Sequence, residues 1–188
     1  MEEIVLVTGD REVGKTFLCR SVVEEAKRRG FACAGVLSPP HIEGQEKVGI
    51  SLIDVASGEE RPLATAGDTR QGVRWGRYMF VPSSLEWGVR LLANATPCDL
   101  LVVDELGPLE LEMGQGLVPA LDVLTGGGFS LALVVVRPAL LNEVKERLQG
   151  RELDIVEVTL SSRDQLRMQL LSRLEDGGAE PSSRSSSE

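Results

Sequence analysis

The chain has 188 residues, which is enough for one domain with a sizeable core and short for two. Its hydrophobic content of 42% is typical of a globular protein in water. The net charge of −9 argues against nonspecific nucleic-acid binding, and no apolar run approaches the roughly 18 residues of a membrane span.

The N-terminus, the cysteines and the single histidine limit the possible targeting signals, redox state and metal sites. The acidic start leads directly into a strand pattern, so we expect neither a signal peptide nor a transit peptide. Cys19, Cys33 and Cys98 are odd in number and widely spaced, which predicts reduced, buried thiols in a cytoplasmic protein. The single histidine, His41, excludes a multi-histidine metal site and is expected on an exposed loop.

The first predicted strand, residues 4–7, runs into a phosphate-binding motif. Residues 9–16 read G-D-R-E-V-G-K-T and fit G-x-x-x-x-G-K-[ST] without a gap. A helix is predicted over residues 16–29, so the loop N–H groups and the helix N-terminus face an anion. We expect Lys15 to add a mobile positive charge and Thr16 to hold Mg²⁺. The predicted nucleotide-binding residues are Gly9, Asp10, Arg11, Glu12, Val13, Gly14, Lys15 and Thr16.

A second strand, a connection and a hairpin are predicted next. Residues 32–37 complete a βαβ unit. Residues 38–45 contain two prolines and a glycine, which predicts a turn-rich connection. Alternation over 48–55, followed by a turn and residues 61–64, predicts a hairpin. Residues 65–78, with three glycines and three arginines, are expected to form an exposed loop.

The second half alternates helices with apolar strands, which predicts an α/β protein with a mostly parallel sheet covered on both faces. Helices are expected over 83–95 (capped by Ser83 or Ser84), 117–124, 138–148 and 161–174, and strands over 100–103, 131–136 and 154–159. From residue 176 onward, Gly, Pro, Ser and charge predict a disordered tail over 176–188. One domain then covers residues 1–175.

An acidic pair ends the strand at 100–103. Four apolar residues followed by Asp104 are the pattern of the magnesium-supporting strand in phosphate-loop enzymes. We predict that Asp104 supports Mg²⁺ and that Glu105 polarises a water in line with the γ-phosphorus. The pair also fits the D-x-x-G of regulatory GTPases. Their [NT]-K-x-D motif is missing, because the only lysine after residue 107 is Lys145, followed by Glu-Arg-Leu.

Arginines are the remaining candidates for catalysis, since a planar guanidinium stabilises charge on the γ-phosphoryl oxygens. Arg137 follows an apolar strand, so we expect it at the strand-end edge and predict that it is catalytic, together with Lys15 and Glu105. The other candidates are Arg11, Arg70, Arg74 and Arg77. Arg77 and Arg137 are the strongest candidates among these arginines. The segment 70–77 would close over the site as a lid.

With these motifs the sequence resembles the small nucleoside-triphosphate phosphatases of the thermophile type, which include the human cancer-related nucleoside-triphosphatase. The resemblance covers roughly residues 3–150. It is carried by residues 9–16, by 34–37 with 49–58, by G-R-Y at 76–78 and, most specifically, by D-E-L-G-P-L-E-L at 104–111.

The resemblance implies a RecA-like, three-layer α/β/α phosphate-loop fold and slow, Mg²⁺-dependent hydrolysis of several nucleoside triphosphates. It maps Glu105 and Glu110 onto family acids. The chain departs from the family at Pro108, where Lys is usual, and at residues 38–41 (S-P-P-H), where a more charged stretch is common.

Three functions stay open at this stage. The leading one is hydrolysis of a nucleoside triphosphate of undetermined base to the diphosphate, with no nucleic-acid or membrane partner. The second is a small-molecule or nucleotide kinase that uses the same donor site, with Glu105 as base toward a hydroxyl acceptor. The third is a nucleotide-dependent binding module that acts on a partner. No motif indicates the oligomeric state.

Overall fold

The computed structural model describes residues 2–66 and 72–177, and the strands in these ranges join into one ten-stranded sheet. The strands are β1 (Glu3–Thr8), β2 (Cys33–Leu37), β3 (Pro40–Glu43), β4 (Glu46–Asp54), β5 (Glu60–Ala66), β6 (Val73–Trp75), β7 (Tyr78–Phe80), β8 (Cys98–Leu106), β9 (Phe129–Val136) and β10 (Leu153–Glu157). The helices are α1 (Lys15–Arg28), α2 (Pro82–Ala93), α3 (Pro108–Leu111), α4 (Pro119–Gly126), α5 (Leu141–Arg147) and α6 (Arg163–Gly177), and a 3₁₀ turn covers Pro138–Leu140.

The parallel half of the sheet has the order β10-β1-β9-β8-β2. Its central strands are continuous apolar runs with both faces covered, as parallel strands require. The carboxyl ends of parallel strands lie at one edge of a sheet. The segments that follow β1, β8, β9 and β10 therefore share an edge, with β9 between β1 and β8.

Two hydrophobic clusters lie on opposite faces of this half. Alternate residues of β1 point to each side, Val5 and Val7 toward one cluster and Ile4 and Leu6 toward the other. Helices α1 and α6 complete the first cluster, and α2, α4 and α5 complete the second. The predicted α/β class with helices on both faces is therefore confirmed.

The antiparallel half is larger than the single hairpin that the sequence predicts. The predicted hairpin is β4–β5, but β3 pairs with β4, and β7 with β6 extends the sheet beyond β5. The predictions of a turn-rich connection at 38–45 and of a loop at 65–78 were therefore wrong, because both segments contain strand residues. Strands of only three or four residues, in segments that also contain Gly or Pro, are too short to show alternation. His41 lies exposed on β3 rather than on a loop.

Element boundaries differ from the predictions where tertiary packing decides them. Helix α2 begins with Pro82 at its first turn, and Ser84, expected as a cap, is buried inside the helix. Helix α6 continues through Asp176 to Gly177, past the predicted start of the tail. Residues 178–188 lie outside the described ranges, as does Arg70. Across 2–66 and 72–177, no helix combines the length and apolarity needed to cross a membrane.

Gly35 tests how tightly β2 and β8 pack. Its φ is +103°, and a Cβ there would lie 2.0 Å from the carbonyl oxygen of Val102. We expect Gly35→Ala to lower the free energy of unfolding by about 3 kcal/mol, because backbone strain and a backbone clash add. Urea unfolding measures this change.

Gly126→Ala is the matched control, since a Cβ at Gly126 meets nothing within 4 Å. We expect its free energy of unfolding to stay within about 0.5 kcal/mol of the parent. A comparable loss in both variants would contradict the close approach of β2 to β8.

Candidate functional site

The segment between β1 and α1 is a tight loop that needs glycine at two positions. Gly9 has φ +139° and Gly14 has φ +94°. A Cβ on Gly9 would lie 2.5 Å from the carbonyl oxygen of Val158, which follows β10. Helix α1 begins immediately after Gly14, so the unpaired N–H groups of its first turn belong to this loop. Such a terminus favours an anion.

The Lys15 side chain lies across the loop. Its Nζ donates to the carbonyl oxygens of Gly9 at 2.8 Å and Asp10 at 2.6 Å. Burial lowers the pKa of Lys15 below its ordinary value, and Glu105 opposes that change. An ammonium has three N–H donors, so these contacts leave one donor for another acceptor.

A hydrogen bond between Thr16 and Asp104 connects the phosphate loop to the end of β8. Thr16 Oγ1 donates to Asp104 Oδ1 at 3.1 Å, although the two residues are 88 positions apart. Asp104 is only 1% exposed, and its Oδ2 accepts the N–H of Ser38 at 2.9 Å. Burial raises the pKa of Asp104 to about 6, against the effect of both hydrogen bonds. The structure thus brings together the two residues predicted for the metal.

Glu105 and Arg137 form an ion pair beside Asp104. The register of β8 against β9 shifts between Val103 and Leu106, and Glu105 adopts a left-handed φ of +75°. This irregularity lets Asp104 stay buried while Glu105 is half-exposed. Arg137 directly follows β9 and donates through Nε to Glu105 Oε1 at 2.8 Å, and its Nη2 contacts the same oxygen.

Glu110 holds the segment that follows Glu105. It is buried, its Oε2 accepts the N–H of Gly107 and its Oε1 accepts the N–H of Leu117, each at 3.0 Å. Burial raises the pKa of Glu110 above its ordinary value. From the sequence, only the family resemblance pointed to Glu110. Its partners lie three residues before it and seven residues after it, and this spacing follows no periodic pattern.

The other candidate arginines lie elsewhere. Arg77 donates to the Tyr78 hydroxyl at 2.9 Å and to the carbonyl of Lys47 at 3.4 Å, contacts within the antiparallel half. Its strand neighbour β7 is six strands from β1 along the sheet. The structure therefore does not place Arg77 beside Arg137. Arg74 belongs to the same β6–β7 hairpin, and Arg11 is exposed in the loop.

The donor set at Thr16 and Asp104 fits a magnesium ion. Both ligands are oxygens, which Mg²⁺ prefers, and the ion normally keeps water and phosphate oxygens in its remaining positions. Within 2–66 and 72–177, no group of three or more His, Cys, Asp or Glu side chains is arranged to hold a metal by itself. A metal bound here would therefore depend on bound phosphate.

Comparison with known proteins identifies the family. A family model described as NTPase matches residues 4–171. The nucleoside-triphosphatase THEP1 of Methanopyrus kandleri is 30% identical over 174 residues, which cover 91% of this chain and 94% of that protein. The chain belongs to the NTPase family. The chain is also 38% identical, over 120 residues, to THEP1 of Ignicoccus hospitalis, with 64% of this chain and 68% of that protein covered.

Solved structures agree with this fold. The human cancer-related nucleoside triphosphatase superposes with a TM-score of 0.74 at 23% identity, covering 95% of this chain and all of that one. THEP1 from Aquifex aeolicus gives 0.68 at 22% identity, with 92% and 99% covered. The family predicted from the motifs is confirmed, and with it the class of nucleoside-triphosphatases.

Burial of Asp104 makes the stability of the metal-free protein pH-dependent. Between the unfolded value of 3.8 and the folded value of about 6, the folded state binds more protons, so stability falls as pH rises. Asparagine at this position removes the charge: its Oδ1 can accept the N–H of Ser38, and its Nδ2 can donate to Thr16 Oγ1, which reverses the direction of that bond. With EDTA present, we expect Asp104→Asn to raise the free energy of unfolding at pH 8 by about 2 kcal/mol.

Urea unfolding at pH 8 and pH 4.5 measures this effect. At pH 4.5 the advantage of Asp104→Asn should fall to about a third of its size at pH 8, because the native carboxyl is protonated there while the unfolded one is still mostly ionised. Asp122→Asn, at an exposed position on α4, is the control and should change the free energy of unfolding little at either pH. An advantage of equal size at both pH values would contradict the raised pKa.

Proposed function

We propose that the protein hydrolyses nucleoside triphosphates to the diphosphate and phosphate, with Mg²⁺, at the site where the phosphate loop meets Asp104, Glu105 and Arg137. The observation that carries the proposal is the hydrogen bond between Thr16 and Asp104 at 3.1 Å. With these two residues in contact, one bound triphosphate would reach both the phosphate loop and the acidic strand end. Relatives named nucleoside-triphosphatase support the same activity.

The loop and Lys15 bind the phosphates. The first-turn N–H groups of α1 and the Lys15 ammonium provide fixed and mobile positive charge at one end of the site. Lys15 exchanges its bonds to the loop carbonyls for phosphate oxygens. Thr16 and Asp104 would hold Mg²⁺, which neutralises charge on the β- and γ-phosphates when bound.

Glu105 and Arg137 act at the γ-phosphate. Both contacts from Arg137 are to Glu105 Oε1, so Oε2 keeps the capacity to accept a proton from water. The water oxygen forms the new bond to phosphorus, the bond to the β–γ bridging oxygen breaks, and the diphosphate leaves. Arg137 fixes the Glu105 carboxylate and uses its remaining N–H donors on the γ-phosphoryl oxygens.

We place the protein in the cytoplasm, in keeping with its chemistry. Cys19, Cys33 and Cys98 are free thiols, and burial raises the pKa of each. Thiols of this kind persist in a reducing compartment.

Glu105→Gln tests the assignment of the base. We expect turnover to fall about a hundredfold or more, because the amide accepts no proton, while nucleotide affinity changes little. Phosphate release measures turnover, and calorimetry with a non-hydrolysable analogue measures affinity. Glu112→Gln, exposed on the same segment, is the matched control and should turn over normally. Equal turnover in Glu105→Gln and the parent would remove Glu105 from this role.

Lys15→Ala and an acceptor-free assay test the reaction class. We expect Lys15→Ala to abolish detectable binding of triphosphate, since it removes the mobile charge of the loop. The parent should release phosphate steadily with Mg²⁺ and no added metabolite, and should stop when EDTA is added. Phosphate release that depends on an added hydroxyl acceptor would favour the kinase alternative instead.

A further inference from the structure

The proposed function leaves the base of the nucleotide without a binding site, since the loop and the acidic strand end contact only phosphates and metal. Phe17 directly follows the last residue of the phosphate loop. It is 60% exposed, an unusual state for a large apolar aromatic side chain. A phenyl ring held in water beside a nucleotide site offers a surface for stacking.

The β10–α6 connection lies next to Phe17. Val158 donates its N–H to the carbonyl of Thr8 at 2.8 Å, so the connection begins against the end of β1. It then carries Leu160, which is 69% exposed, and several hydroxyl groups before α6 starts at Arg163. The strand-end edge therefore continues from the phosphate loop into a partly apolar surface.

Arg163 joins this surface to the loop. Its guanidinium carbon lies 5.5 Å from the centre of the Phe17 ring, and a Cβ on Gly14 would be 2.8 Å from its Nη1. Within residues 2–66 and 72–177, its buried Nε has no hydrogen-bond partner. Arg163 packs against Phe17, yet the ring keeps most of its surface exposed. A planar guanidinium beside an aromatic ring is an arrangement that accepts a flat π system.

We propose that Phe17 and Arg163 form the platform on which the base of the nucleoside triphosphate stacks, with Leu160 at its margin. The proposal rests on the proposed function. Stacking accepts every base because each has a π face, so this platform binds purines and pyrimidines alike and favours purines only by their larger area. The surface identifies the ligand as the base of the same nucleotide whose phosphates bind the loop.

Phe17→Ala tests the platform by comparing nucleotides with a ligand that has no base. We expect the dissociation constant of a non-hydrolysable ATP analogue to rise about tenfold, the scale of one base–aromatic stack, and that of a UTP analogue to rise less. The dissociation constant of inorganic tripolyphosphate should stay within about twofold. In turnover, KM for ATP should rise while kcat stays near the parent value.

Two further variants sharpen the comparison. Phe17→Trp keeps an aromatic face and should retain the affinity of the parent. Ile42→Ala removes an equally exposed apolar side chain, at 58%, on β3 and should leave all three ligands unchanged.

Three outcomes would overturn the platform. One is a change in tripolyphosphate binding equal to that of the ATP analogue, since this would indicate damage to the loop. Another is unchanged affinity for every ligand in Phe17→Ala. The third is a change in oligomeric mass, by light scattering, without a change in nucleotide affinity. A parent that binds nucleotide but releases no phosphate would refute the hydrolase alone, because the binding comparison does not need turnover.

Discussion

The contact between Thr16 and Asp104 depends on the order of the parallel strands. The two residues are 88 positions apart, and β9 separates the strands that precede them, yet their oxygens lie 3.1 Å apart. This happens because the carboxyl ends of β1, β9 and β8 face one edge. A one-residue slip of β8 would turn Asp104 to the other face of the sheet. The buried apolar runs of these strands, which fix the register, are therefore a condition for the site as much as for the core.

The site holds conformations and charges that a fold selected for stability alone would avoid. Within the described ranges, the non-glycine residues with left-handed φ are Glu12 and Glu105, one in the phosphate loop and one in the acidic pair. Asp104 is almost fully buried, and in the described part of the chain its carboxylate accepts hydrogen bonds from neutral donors alone, Thr16 and Ser38. Strain and buried charge of this kind concentrate at functional sites, where the surrounding structure stabilises them. A bound cation beside Asp104 would turn the unfavourable carboxylate into a favourable one.

The sequence was most informative where the signal is local. The loop at 9–16 and the apolar run before Asp104 are contiguous, and parallel strands bring their ends together, so the core of the site could be predicted. The antiparallel extension could not, because β3, β6 and β7 are three or four residues long and are stabilised by pairing with neighbours. Arg77 belongs to the G-R-Y segment that resembles the family, but its hairpin lies at the end of the sheet that is distant from β1. Arg163 carries no motif, and only the fold brings α6 against Gly14.

The two ends of the proposed nucleotide site differ in a way that bears on selectivity. The phosphate end is built from backbone groups, a fixed glycine loop and buried side chains, and such groups recognise one charge pattern closely. The base end is an exposed ring with a guanidinium beside it. Strong discrimination between similar ligands needs buried hydrogen-bonding groups that a wrong ligand leaves unpaired. An open stacking surface has none of these, so it adds affinity for every base and separates them weakly. If the base stacks there as we propose, broad base use would follow from how the site is built, because specificity would be concentrated on the triphosphate that all the substrates share.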